Sequence, residues 1–214
     1  MFDKSEKNGV YDFVLENMEA GIFDKEKIAN YLATSMSMEE SEALSLVERE
    51  YQNVIETIEK EKYTQKALMP ALAGALAGAL VGGGIWGLIA IFANYEIGFA
   101  AIGVGWLAGF VAILASRGVK GLPIQLAAVG MSIFGIIFGK YLTFAHFFRE
   151  GIKSVYNGNI PDEFSMFSTK IITLFIENIH KMVAVYDLLW IALAVMAAWN
   201  ITKAVDVELP EDIN

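Results

Sequence analysis

LMPALAGALAGALVGGGIWGLIAIF, the run from Leu68 to Phe92, decides the fold: it is 25 residues long and carries no charge. A hydrocarbon core needs about 20 apolar residues at about 1.5 Å of rise each, so this run reads as a membrane-spanning helix. Pro70 stands near its start, where a missing N–H costs little.

Working outward, three further apolar runs follow. Ile97 to Ala115 is uncharged over 19 residues, and Leu122 to Gly139 over 18. Met182 to Thr202 carries one charge, Asp187, close to its start. These lengths predict four spans, at about 68–92, 97–115, 122–145 and 182–202. Between the last two lies a mixed segment. Over 164–181, Phe164, Phe167, Ile171, Leu174, Phe175 and Ile179 recur on one side while Lys170, Glu177 and Lys181 fall on the other. That is the pattern of a helix lying flat in a membrane interface. The triplet Gly82-Gly83-Gly84 is the candidate kink of the first span, with no nearby charge to hold an ion.

Residues 1–67 differ in kind, with 8 Lys and Arg against 15 Asp and Glu, whereas 68–214 hold 8 against 10. Val10, Val14 and Met18 recur at helical spacing. Asp24 offers an N-cap to a second helix carrying Ile28, Tyr31 and Leu32. Ser37, with Glu40 three residues on, reads as a capping box opening a third helix along Leu44, Val47, Tyr51, Val54 or Ile55, and Ile58. That stripe falls short of four clean heptads, so it is expected to pack within the domain rather than as an oligomeric stalk. The fold class is all-α: an integral-membrane four-helix bundle over 68–205, preceded by a small soluble acidic helical domain (1–67) and followed by an acidic tail (206–214). Met1 to Gly9 has no apolar signal-peptide core, so insertion is expected to begin at the first span.

Basic residues beside the spans set topology. Lys60, Lys62 and Lys66 precede the first span, Arg117 and Lys120 join the second to the third, and Lys203 follows the fourth. Asn94-Tyr95-Glu96, between the first two, has no basic residue. This places both termini in the cytoplasm. The third connection opposes it with Lys140, Arg149, Lys153, Lys170 and Lys181, but its length lowers its weight.

The chain has no cysteine, which excludes disulfides, thiolate metal sites and a cysteine nucleophile. His146 and His180 have no metal-ligand spacing, and no zinc-protease, nucleophile-elbow or phosphate-loop motif occurs. The acidic balance argues against nucleic acid, whose phosphates need clustered Lys and Arg. No catalytic, cofactor or metal residue is therefore expected. The motifs present are for packing. Gly74, Gly78 and Gly82 form one row on the first span, and Ala71, Ala75, Ala79, Gly83 and Gly87 an adjoining one. Gly98, Gly105 and Gly109 mark the second span, Gly135 and Gly139 the third. Such rows let backbones approach closely in lipid, within one chain or between copies. The charges nearest hydrocarbon are Glu96, Lys140 and Asp187. Charges at depth pair or snorkel, and a Lys140–Asp187 pair with Glu96 at the mouth is the specific expectation. Gln125, Ser132 and Asn200 are the uncharged polar residues expected to bond between helices.

Tyr95-Glu96-Ile97-Gly98 leading into Ile102-Gly103-Val104-Gly105 and Gly109, then Gly139-Lys140-Tyr141 and Asp187-Leu188-Leu189-Trp190, resembles a family of bacterial multi-pass, glycine-rich membrane proteins of about four spans. The likeness covers roughly residues 70–205. Some of that family look like this domain joined to a zinc ribbon, for which this chain lacks the cysteines. The resemblance implies a bacterial inner-membrane setting and no reaction. The expectation is a non-enzymatic membrane scaffold or assembly subunit, homo-oligomeric through its glycine-rich helices, meeting a cytoplasmic protein through residues 1–67. The alternative is a small oligomeric ion channel or transporter using Glu96, Lys140 and Asp187; it needs polar groups spread along a span, whereas these cluster at one end.

Overall fold

The computed structural model describes residues 4–95, 98–205, 207, 209 and 210, with side chains from residue 9 onward. Its regular structure is entirely helical among those residues and divides into two compact units, Met1–Lys62 with Ala204–Asn214, and Tyr63–Lys203.

The first unit holds α1 (Lys4–Glu19), α2 (Lys25–Met36) and α3 (Glu40–Glu61). Asp24 caps α2 as its sequence position predicts, accepting from the Glu26 N–H at 3.0 Å and the Lys27 N–H at 3.2 Å. Ser37 corrects the sequence reading. It does not open α3 but closes α2, in the left-handed region at φ 55°, its N–H donating to the Ala33 carbonyl. Glu39 is the N-cap of α3 and makes no side-chain cap bond. A Ser with a Glu three residues on satisfies the capping-box spacing, but spacing alone does not say on which side of the serine the helix lies. Val14, Ile28, Leu32, Val47 and Val54 are fully buried, so the apolar stripe of α3 packs inside this unit. Buried Tyr51 donates its hydroxyl to the Phe23 carbonyl at 3.0 Å. The tail belongs to the same unit: Val207 and Leu209 pack on this core, and the Val205 N–H donates to the Glu61 carboxylate at 3.1 Å.

The second unit holds α4 (Gln65–Ala93), α5 (Ala100–Ala115), α6 (Leu122–Val155), α7 (Thr169–Met182) and α8 (Val185–Ile201), with one 3-10 turn at Asp162–Phe164. Two helices, α4 and α6, are long and apolar enough to cross a membrane, and the α7–α8 pair, bent by 101°, makes a third if counted as one span. α5 is a shorter apolar helix. The fourth apolar run thus breaks where the sequence predicts a span from residue 182. Met182 ends α7, and Val183 and Ala184 are extended (φ −91° and −86°). The third run, predicted to end near 145, continues as helix to Val155 because Tyr141, Ala145 and Phe148 find an apolar partner face on α7. α4 runs through Gly82-Gly83-Gly84 unbroken.

Glycine rows lay out the bundle. A β-carbon at Gly74, Gly78 or Gly82 would meet the backbone of Val111, Leu107 or Val104, so α5 runs antiparallel to α4 on that row. Gly83 and Gly87 face Gly135 and Gly139, so α6 runs parallel to α4 on the adjoining row. Gly105 and Gly109 face Ala194 and Ala198, which sets α8 parallel to α5. Ala71, Ala75, Ala79, Ala112 and Ala128 fill the seams between these contacts, each fully buried. Side chains this small bury little area. The bundle therefore holds by dispersion over closely approached backbones, which is the available drive where the solvent is as apolar as the protein. The Gly121 N–H donates to the Thr202 carbonyl at 3.3 Å, and Ala67, Ile124 and Ala198 share one cluster. The start of α4, the end of α5, the start of α6 and the end of α8 therefore meet at one end of the bundle.

Candidate functional site

The opposite end gathers the polar chemistry. Lys140 lies on α6, about 27 Å along the helix from Leu122, close to one hydrocarbon thickness. Its Nζ stands 3.2 Å from Oδ2 of Asp187, in the first turn of α8, with side-chain exposures of 5% and 17%. The same oxygen accepts the Ala184 N–H at 2.8 Å. Asp187 therefore stops the elbow from continuing as helix, sits where the helix dipole favours a negative charge, and neutralises a buried ammonium.

Two indoles lie toward this end, each seated on a glycine. Trp86 packs on Gly139, where a β-carbon would lie 2.7 Å from the ring, and its ring centroid is 5.9 Å from the Lys140 Nζ. Trp190 occupies the space a side chain at Gly98 would need. Trp86 is buried, whereas Trp106 is exposed and stacks on Phe110 at 4.8 Å. All nine glycines predicted to pack, Gly74, Gly78, Gly82, Gly87, Gly98, Gly105, Gly109, Gly135 and Gly139, have neighbouring elements of the same chain within contact distance. Gly84, Gly103 and Gly130 have nothing within 4 Å. Glu96, the third charge candidate, lies outside the described residues.

Of the remaining polar groups in the bundle, Gln125 and two threonines are tied down. Gln125 donates to the Trp199 carbonyl at 3.3 Å, fastening α6 to α8 near the other end. Thr143 and Thr202 bond back to Gly139 and Ala198 on their own helices, at 3.1 and 2.7 Å. Ser132 Oγ is buried with no hydrogen-bond partner. Asn200 is exposed. Among the described residues no three His, Asp or Glu side chains gather to hold a metal. An apolar cleft between α4 and α5, lined by Gly82, Ile85, Ile89, Gly103 and Leu107, brings no titratable group into the bundle.

Lys140 and Asp187 come together because an unpaired charge at that depth is costly on either helix. The Trp–Gly seats and the docking of the tail on the first unit went unread in the sequence. A signal for the seats existed, since each tryptophan can only reach a helix backbone where a side chain is missing, but it needed the helix pairing to be known. No family model matches the chain, and no curated protein and no solved structure matches it either.

Proposed function

We propose that the chain is a non-enzymatic membrane scaffold. A tight bundle, crossing a bacterial inner membrane four times, presents the acidic helical unit to a protein partner in the cytoplasm. The observation that supports this most is the disposition of the intramembrane polar groups. Lys140 is turned onto Asp187 and Gln125 onto a backbone carbonyl, which fastens α6 to α8, and the two threonines are satisfied on their own helices, so none of these four lines a route. The placement of ends supports both termini on one side, because the start of α4 and the end of α8 lie together. Lys66, Arg117, Lys120 and Lys203 share that end, the basic loading of a cytoplasmic face. The partner would carry a basic surface, to match exposed Glu48, Glu56 and Glu59 on α3. Copies of the chain would meet through outward side chains such as Leu76, Val81 and Ile85, since the glycine rows are covered from within.

The test is flux in proteoliposomes. The scaffold reading expects ion leakage equal to that of protein-free vesicles. Flux that changes on Lys140→Met would overturn it in favour of a channel. In intact membranes, crosslinking from α3 to its partner should fall on reversing Glu48, Glu56 and Glu59 to Lys and persist in a Lys140→Met, Asp187→Leu double variant.

A further inference from the structure

The helix α7 has three differently occupied flanks. Ile171 and Phe175 are buried, Phe175 with ring centroids 5.3 Å from Tyr141 and 5.6 Å from Phe144 of α6. Counting about 100° per residue, Ile172 and Ile176 fall roughly 100° to one side of that buried line, and Lys170, Glu177 and Lys181 roughly 120° to the other. Ile172 and Ile176 are nonetheless exposed, at 39% and 63%. In water this would be an uncovered isoleucine edge.

The bundle says what covers it. Lys140 meets Asp187 while Gln125 meets Trp199, so α8 runs antiparallel to α6. The 101° elbow then sets α7 steeply across both helices. Phe175 touches α6 within about a turn of Lys140, at the level where the helix has risen about one hydrocarbon thickness from Leu122. With the bundle upright, α7 is horizontal at that boundary. Its buried flank faces sideways, leaving one flank up and one flank down. The isoleucine edge also runs on, through exposed Val183 and Val185 at the elbow, into exposed Leu188 and Leu189 of α8.

We propose that α7 is an in-plane lipid-binding helix: its Ile172–Ile176 edge is immersed at the acyl–headgroup boundary of the leaflet opposite the end where α4 starts and α8 finishes, with Lys170, Glu177 and Lys181 in the headgroups. The inference rests on the reading that the bundle crosses a bilayer. α7 then acts as a float that fixes the bundle's depth, and the Lys140–Asp187 pair latches its elbow.

The chain has no cysteine, so single-cysteine spin labels report without background. In nanodiscs, labels at Ile172→Cys and Ile176→Cys are expected to show an oxygen-to-nickel-chelate accessibility ratio severalfold above labels at Thr173→Cys and Glu177→Cys. A Val81→Cys label, mid-way along the outer face of α4, tests the spanning reading by itself and should give the highest ratio. A lipid-like Val81 with water-like Ile172 and Ile176 overturns the proposal and leaves the bundle standing. So does loss of accessibility to both reagents at Ile172 and Ile176, which would mean a protein covers the edge. A water-like Val81 overturns the membrane reading first.

Discussion

A methyl group added at Gly83 would overlap the carbonyl oxygen of Gly135, which belongs to helix backbone and cannot swing aside. Gly83→Ala is therefore expected to destabilise the bundle by about 3 kcal/mol, at the upper end for overpacking, read as a lower midpoint in detergent-denaturant unfolding. Gly103→Ala is the contrast. It meets nothing within 4 Å, and should be neutral or stabilising by up to about 1 kcal/mol through helix propensity. Lys140 and Asp187 make a second test at this scale. Removing one partner leaves the other buried and unpaired, so Asp187→Leu should cost about 3–5 kcal/mol. Adding Lys140→Met should restore a large part of that loss, and a double-mutant cycle in the same unfolding assay would read the coupling. The sequence disclosed this pair because both charges stand in apolar surroundings that leave each few alternatives. It did not disclose Ser37, whose hydroxyl and spacing suit either end of a helix; its left-handed backbone, a tertiary outcome, made it a stop.

Among the elements, α4 and α6 were the most legible part of the chain, since long uncharged runs admit few readings. The ends of the apolar runs were the least. Nothing in the composition of 182–202 separates Met182 from Val185, and the break arises because the Ala184 N–H is taken by a side chain, Asp187, rather than by a helical carbonyl. Likewise α6 extends because of what α7 offers it. The third helix of the acidic unit carries a pH-dependent element. Burial pushes the Tyr51 phenol above its ordinary value of about 10. With the folded value raised, the native unit holds this proton longer than the unfolded chain. The unit's stability is then intact below pH about 10 and declines as pH climbs through the native value. Thermal melts of the full chain from pH 9 to 12 should show the drop, and Tyr51→Phe should flatten it.

For the whole molecule, the two units follow different rules. The acidic unit is held by ordinary aliphatic burial, as Val14, Ile28, Leu32 and Val47 show, and its periodicity was readable. The bundle is held by the absence of side chains, so its seams could be counted in the sequence but not assigned to partners. The tail was illegible for another reason. Val205, Val207 and Leu209 alternate over too few residues to separate a packed tail from a solvated end. Replacing Val207 and Leu209 with Ser is expected to lower the acidic unit's stability by about 1–2 kcal/mol, from partial loss of two aliphatic contacts. The loss should register as faster amide exchange at Val14 and Val47, with little change in α4.

That tail imposes an order on biosynthesis. The three helices of the acidic unit leave the ribosome well before the segment that closes over their core, which follows α8, after the whole stretch from Tyr63 to Lys203 has been made. At about 5–20 residues per second, the nascent unit waits roughly 7–30 seconds with its apolar seat open. Until residues 204–210 are made, the core of α1, α2 and α3 lacks the cover that Val207 and Leu209 give it.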